Sequence, residues 1–179
     1  MARAAVLGRL TWRAATVAAM RDETATARTL TLDIAGWPGH LAGQHVDIRL
    51  TAPDGYTAVR SYSIASVADG DRIDVTVEPV RDGEVSPYLA RVVGVGDPLE
   101  VRGPVGGWFT WRAAQSEPVQ LVAGGSGVVP LMAMLRARAA AASTCARYGD
   151  TSPSASSCTV SSSWSPSGAE AIEYDRWAE

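Results

Sequence analysis

The sequence predicts a mainly β protein: a six-stranded antiparallel barrel with one capping helix, followed by the first strand, loop and helix of an incomplete α/β unit. Three observations carry this prediction. Six short segments alternate apolar and polar residues at period two. Turn chemistry such as Pro53-Asp54-Gly55 and Asp69-Gly70-Asp71 separates them at close spacing. After Pro118 the pattern changes to a continuous apolar run, a glycine cluster and a helical composition.

The elements follow in order. Strands are predicted at Thr16 to Met20, Thr29 to Ile34 and His45 to Leu50, broken by the turn Gly36-Trp37-Pro38-Gly39. Further strands fall at Ala58 to Ile64, Arg72 to Pro79 and Pro98 to Val101. The rhythm breaks at Ser86 to Val93, where Ser86 fits a helix N-cap and Pro87 the first helical position. Val119 to Ala123 reads as a buried strand, Gly124 to Gly127 as a tight turn, and Pro130 to Ala142 as a helix. Such a unit opens a parallel nucleotide-binding sheet, because glycines let backbone amides approach a phosphate at the helix N-terminus.

Composition narrows the function classes. The chain has 179 residues, room for one complete domain and little more. Hydrophobic residues make up 46% and charged residues 20%, a balance that supports a real core and excludes wholesale disorder. All 16 basic residues are Arg against 19 acidic ones, a net charge of −3, which is not the footprint of a nucleic-acid binder. Lys and Asn are absent, a bias that reflects GC-rich coding sequence. Cys145 and Cys158 form no CxxC pair and no iron–sulfur set, His40 and His45 have no partner at metal-ligand spacing, and no metal site is predicted. The N-terminal apolar run is too short for an export signal, and glycines and Pro130 break the longest apolar stretch, so no membrane span is expected and a reducing cytoplasm is the expected compartment.

The informative cluster is Arg60-Ser61-Tyr62-Ser63, closing a strand, with Gly83-Glu84-Val85-Ser86 about twenty residues on. An Arg beside a glycine-opened helix start suits a diphosphate, since guanidinium charge and backbone amides favour the same anion, and a nearby aromatic offers a stacking face. Gly43-Gln44-His45-Val46, Gly96-Asp97-Pro98-Leu99 and Gly103 to Phe109 add three ordered motifs. With these, residues 12 to 140 resemble the ferredoxin–NADP reductase superfamily. The resemblance implies a barrel that binds FAD, with Arg60 on flavin phosphate, Ser61 beside it, Tyr62 against the isoalloxazine, and Ser63 hydrogen-bonding near the reactive N5 as the one catalytic residue. It implies Val77 and Glu78 along the flavin, and Gly83, Val85 and Ser86 on the pyrophosphate. Gly124, Gly125, Ser126, Gly127 and Pro130 resemble the family motif that receives NADH or NADPH.

The implied activity is hydride transfer from NAD(P)H to FAD, then single electrons to a ferredoxin, an oxygenase component or another iron–sulfur or haem acceptor. The family's later Cys-Gly-Pro motif is missing, and ten of the 26 residues from Ser143 to Gly168 are Ser. The organisation predicted is a barrel over 1–116, the start of a truncated NAD(P)-binding unit over 117–142, and a Ser-rich, low-order tail over 143–179 whose composition resembles out-of-frame translation of GC-rich sequence. The first strand of the α/β unit is then expected to lack parallel neighbours. An alternative function is an inactive flavin-binding module without turnover. Trp108, Phe109 and Trp111 are expected to pack against the barrel.

Overall fold

The computed structural model describes residues 10–112, 114–115, 119–147 and 160–162. Eight strands and two α-helices follow in chain order: β1 (Trp12–Asp22), β2 (Arg28–Asp33), β3 (His45–Thr51), β4 (Thr57–Ser63), β5 (Arg72–Val77), α1 (Val85–Arg91), β6 (Pro98–Val105), β7 (Leu121–Ala123), α2 (Val128–Arg147) and β8 (Val160–Ser162). A 3₁₀ turn, Gly125–Gly127, precedes α2.

The six-stranded sheet has the order β4-β3-β6-β1-β2-β5, and every pairing in it is antiparallel. Strand β1 is long enough to serve two neighbours, pairing through Thr16 with β6 and from Thr16 onward with β2, and the register shifts between Val17 and Ala19. Such a bulge sharpens the twist and turns the sheet back on itself. Strands β4 and β5, the two ends of the order, meet through the Ile64–Val75 bridge and the Ala65 N–H to Asp74 carbonyl bond. The barrel is thereby closed at one end of this seam and open at the other.

Period-two alternation fills the inside. Ile73, Val75 and Val77 of β5 point inward, while Arg72, Asp74 and Thr76 point outward. Leu30, Leu32, Val46, Ile48, Leu99 and Val101 join them in one core, each contributing about 1.5–3 kcal/mol by leaving water. Helix α1 adds Val85, Leu89 and Ala90 as a plug. On the outer face Thr31 donates to Asp74 at 2.7 Å, and Arg49 binds both oxygens of Glu100 while its guanidinium lies over Trp12.

The second core joins β7 and α2 to the barrel. Ala42 and Trp111, bridged to each other, pack with Leu121, Leu131, Ala133 and Met134. Arg136 of α2 reaches across to donate to the Ala65 carbonyl at 2.6 Å.

Four expectations change. Ser86 is not the N-cap of α1; Glu84 stands there without a side-chain capping bond. The Ser86 hydroxyl instead accepts from the Val80 N–H at 3.0 Å, closing the loop before the helix. Helix α2 starts two residues before Pro130 and runs to Arg147, beyond the predicted end at 142. Proline is tolerated in a first turn that needs no N–H, and the Ala run favours helix. Strand β7 has a parallel neighbour, Leu121 opposite Val160 in β8, so the chain's own tail supplies it. The rest of the tail lies outside the described residues. Of the three aromatics expected to pack, only Trp111 is buried; Trp108 and Phe109 are exposed because the loop that carries them runs over the surface.

His40 has a structural role. The Trp37 Nε1–H donates to its Nδ1, so its proton sits on Nε2, facing the Ser66 carbonyl at 3.1 Å. Burial pushes its pKa below the ordinary value, partly offset by that carbonyl. Protonation would also place a second N–H against the Trp37 donor. The neutral form is therefore native, its stabilisation is present above about pH 6.5 and is lost as pH falls through the depressed folded value. Thermal midpoints of the natural chain are expected to fall between pH 7.5 and pH 5, and a His40→Gln variant is expected to flatten that slope. Equal slopes would assign the acid sensitivity to other groups.

Candidate cofactor site

Where β4 and β5 part beyond the Ile64–Val75 bridge, the open seam holds a cavity of about 500 Å³. Arg60, Ser61, Tyr62 and Ser63 form one wall, and Thr76 and Glu78 the facing one. The loop from Val80 to Ser86 closes the side at the start of α1, and Ser126 and Val129 reach in from the turn before α2. Two motifs twenty residues apart in sequence thus meet because both flank the same seam.

The local chemistry follows from the strands. Alternation sends the side chains of Arg60 and Tyr62 to one face of β4 and that of Ser61 to the other. Ser61 donates to Asp47 Oδ1 at 2.6 Å, and Arg102 holds Oδ2 at the same distance, so the motif strand is tied from behind. Burial opposes the Asp47 charge, yet the bonds from Ser61 and Arg102 and the Arg102 charge together hold its carboxyl below the usual range. Tyr62 is half-buried, and desolvation pushes its phenol up to about 12 against the pull of Arg60, so it stays protonated at neutral pH.

The Arg60 guanidinium is exposed and donates to the Val59 carbonyl; among the described residues no carboxylate forms an ion pair with it. The Ser86 hydroxyl accepts from Val80, which leaves its own hydrogen free to donate. A Cβ on Gly83 would stand 3.1 Å from the Val80 carbonyl oxygen and 3.3 Å from Ser86 Oγ, so the loop keeps its tight form with glycine there. An available guanidinium, a donor hydroxyl and a glycine-opened backbone suit a phosphate-bearing ligand, and the protonated Tyr62 ring suits a flat one.

Of the predicted residues, Arg60, Ser61, Tyr62, Ser63, Glu78, Gly83, Val85, Ser86 and Ser126 line the cavity. Val77 does not: its side chain is inside the barrel core. Gly124, Gly125 and Gly127 are exposed around the 3₁₀ turn and Pro130 is buried in α2, so this motif meets the cavity through Ser126. Sequence reading missed Thr76, Val80, Arg81, Asp82, Glu84 and Val129. Arg81 and Asp82 directly precede the glycine motif, and Asp82 takes a left-handed φ of 59°, a turn the Asp-Gly pair signals. Thr76 and Val129 carry no sequence signal; only the fold brings them to the seam.

An antiparallel barrel with phosphate donors and a flat aromatic wall along one open seam defines a nucleotide-cofactor barrel. Residues 26–110 match the family model described as the oxidoreductase FAD-binding domain, and the chain resembles the ferredoxin reductase-type FAD-binding superfamily. It is 38% identical over 95 residues to a flavohemoprotein of Pseudomonas putida, covering 53% of this chain and 24% of that one. It is 40% identical over 126 residues to ferredoxin–NADP reductase B of Sorangium cellulosum, covering 69% of this chain and 50% of that one. A solved cytochrome P450 reductase from Amycolatopsis superposes with a TM-score of 0.67 at 26% identity, over 89% of this chain and 46% of that one. The chain spans half or less of the length of these relatives. Among the described residues, no group of His, Cys, Asp and Glu could hold a metal, and no helix is long and apolar enough to cross a membrane.

Proposed function

We propose that the chain binds FAD in the seam cavity and serves as the flavin-binding part of an NAD(P)H-dependent oxidoreductase that passes electrons to an iron–sulfur or haem acceptor protein. The observation that carries this reading is the convergence of Arg60, Tyr62 and Ser63 with Gly83 and Ser86 on one cavity. FAD, when bound, supplies the exchange between two-electron hydride chemistry and one-electron transfer.

The chain's residues bind and orient. Arg60 neutralises phosphate charge, and Ser86 and the backbone of Gly83 and Val85 complete the anion contacts. Tyr62 gives the ring system a face that excludes water, and Ser63 places a hydroxyl at its reacting edge. Ser61 fixes the wall through Asp47, and Val77 supports it from inside the barrel. Glu78 sets a carboxylate on the opposite wall. The turn with Gly124, Gly125, Ser126 and Gly127, held by Pro130 and α2, receives the nicotinamide donor beside the flavin, with Ser126 and Val129 at the border. Relatives named methane monooxygenase component C and glycine betaine monooxygenase reductase subunit support an oxygenase-type acceptor.

Purified protein supplied with FAD is expected to retain a flavin spectrum through desalting and to bleach on anaerobic addition of NADH or NADPH. A retained spectrum that does not bleach would replace this reading with the alternative, a flavin-binding module without turnover. No retained flavin would overturn both.

A further inference from the structure

Within the Gly83–Ser86 segment that lines the cavity, Glu84 has a partner that the flavin reading leaves unused. Tyr56, at the tip of the β3–β4 hairpin, donates its hydroxyl to both oxygens of Glu84, at 3.1 and 3.3 Å. The link joins two parts of the chain 28 residues apart, and Glu84 lines the cavity wall. Tyr56 is itself 57% exposed, so its ring offers an open face.

Position along β4 gives this pair its meaning. The α2 end of the cavity lies at Ser63, next to the Ala65 carbonyl that Arg136 holds. Arg60 is two residues before Tyr62, about 7 Å along the strand, a spacing that suits a ring on Tyr62 and a first phosphate on Arg60. Tyr56 lies four residues further, about 13 Å beyond Arg60 at the strand rise. A mononucleotide ends before it; a dinucleotide extends to it.

The chemistry points the same way. A carboxylate only accepts hydrogen bonds and so repels a phosphate, which also only accepts. One partner of Glu84 is the Tyr56 hydroxyl, and its remaining lone pairs can accept from donors on a ligand. We propose that Glu84, oriented by Tyr56, reads the nucleoside half of the cofactor by accepting from ribose hydroxyls or an adenine amino group, and thereby selects FAD over FMN. This rests on the flavin reading above.

The test is titration of flavin-free protein with FAD and, separately, with FMN, followed by flavin fluorescence. The natural chain is expected to bind FAD at least about tenfold more tightly than FMN, the range of one or two good hydrogen bonds to a charged group. Glu84→Gln and Glu84→Ala are expected to lose most of that ratio through weaker FAD binding, with FMN affinity unchanged or improved. Tyr56→Phe is expected to lower the ratio less, at an unchanged thermal midpoint. Equal affinities for the two flavins in the natural chain, an unchanged ratio in the variants, or an equal loss of both flavins in Glu84→Gln would overturn the proposal while flavin binding stood. Binding of neither flavin by the natural chain would overturn the flavin reading as well.

Discussion

Arg60→Ala is expected to weaken FAD binding by about tenfold to a hundredfold, the loss of a charge-assisted hydrogen bond worth about 1.5–3 kcal/mol. The size follows from the geometry. Arg60 is exposed at the cavity wall and donates to the Val59 carbonyl next to it, so among the described residues no carboxylate competes for its charge. Removing it leaves Arg81 as the other guanidinium lining the cavity, on the opposite side of the seam. Ser126→Ala is the control, because Ser126 borders the cavity at the α2 end, away from the phosphate donors, and is expected to change FAD affinity by less than about threefold. Equal affinities in the two variants, measured by fluorescence titration, would remove Arg60 from the phosphate site. The fold is expected to survive, since an exposed strand arginine contributes little to the core.

Gly43→Ala is expected to cause the largest loss of stability among single-methyl changes in the described residues. Gly43 has a φ of +95°, which a residue with a Cβ adopts at a cost of about 1 to 3 kcal/mol. An added Cβ would also overlap the Phe109 carbonyl oxygen and come within 2.8 Å of Met134 Cε. A backbone oxygen cannot step aside as a flexible side chain can, so the overlap would push α2 and the Phe109 segment off the barrel. A total of about 3 kcal/mol corresponds to a fall in thermal midpoint of about 6 to 12 °C for a chain of this size. Gly39→Ala separates the two causes: its φ is +77°, and nothing lies within 4 Å of the added Cβ. That variant is expected to show the backbone cost alone. Equal midpoints for the two variants would mean that the close approach at Gly43 carries no weight.

The junction that Gly43 permits also explains the position of the second glycine motif. Ala42, Trp111, Leu131, Ala133 and Met134 form one apolar cluster, and Arg136 pins α2 to Ala65 at the closed end of the seam. The turn at Gly125–Gly127 is therefore carried to the cavity border by packing against the barrel. The β7–α2 unit is an integral part of the barrel's second core.

Much of the barrel was legible because alternation is a local property. Segments such as Arg72–Val77 write their inward and outward faces residue by residue, and turn residues bound them, so all six strands fall within a few residues of their predicted spans. The motif Arg60 to Ser63 was legible for the same reason, since strand periodicity alone puts Arg60 and Tyr62 on one face. Less legible was Ser86, where a serine before Pro87 satisfies the local rule for a cap. The structure spends its hydroxyl on Val80 instead, because the loop from Val80 to Gly83 folds back within reach. Trp108 misled in a similar way: an aromatic after a closing strand reads as packing, but burial depends on what lies opposite, and among the described residues nothing covers it.

The sequence by itself determined the strands, the turn positions, the two phosphate-type motifs and the family they resemble, because each of these rests on neighbours in the chain. Tertiary structure alone decided that β4 and β5 close at Ile64–Val75 and part beyond it, that Val77 faces the core, that Thr76 and Val129 line the cavity, and that Tyr56 meets Glu84 across 28 residues. The physical reason is that these contacts join segments far apart in sequence, and their free energy exists only once the sheet has twisted shut and the two cores have packed.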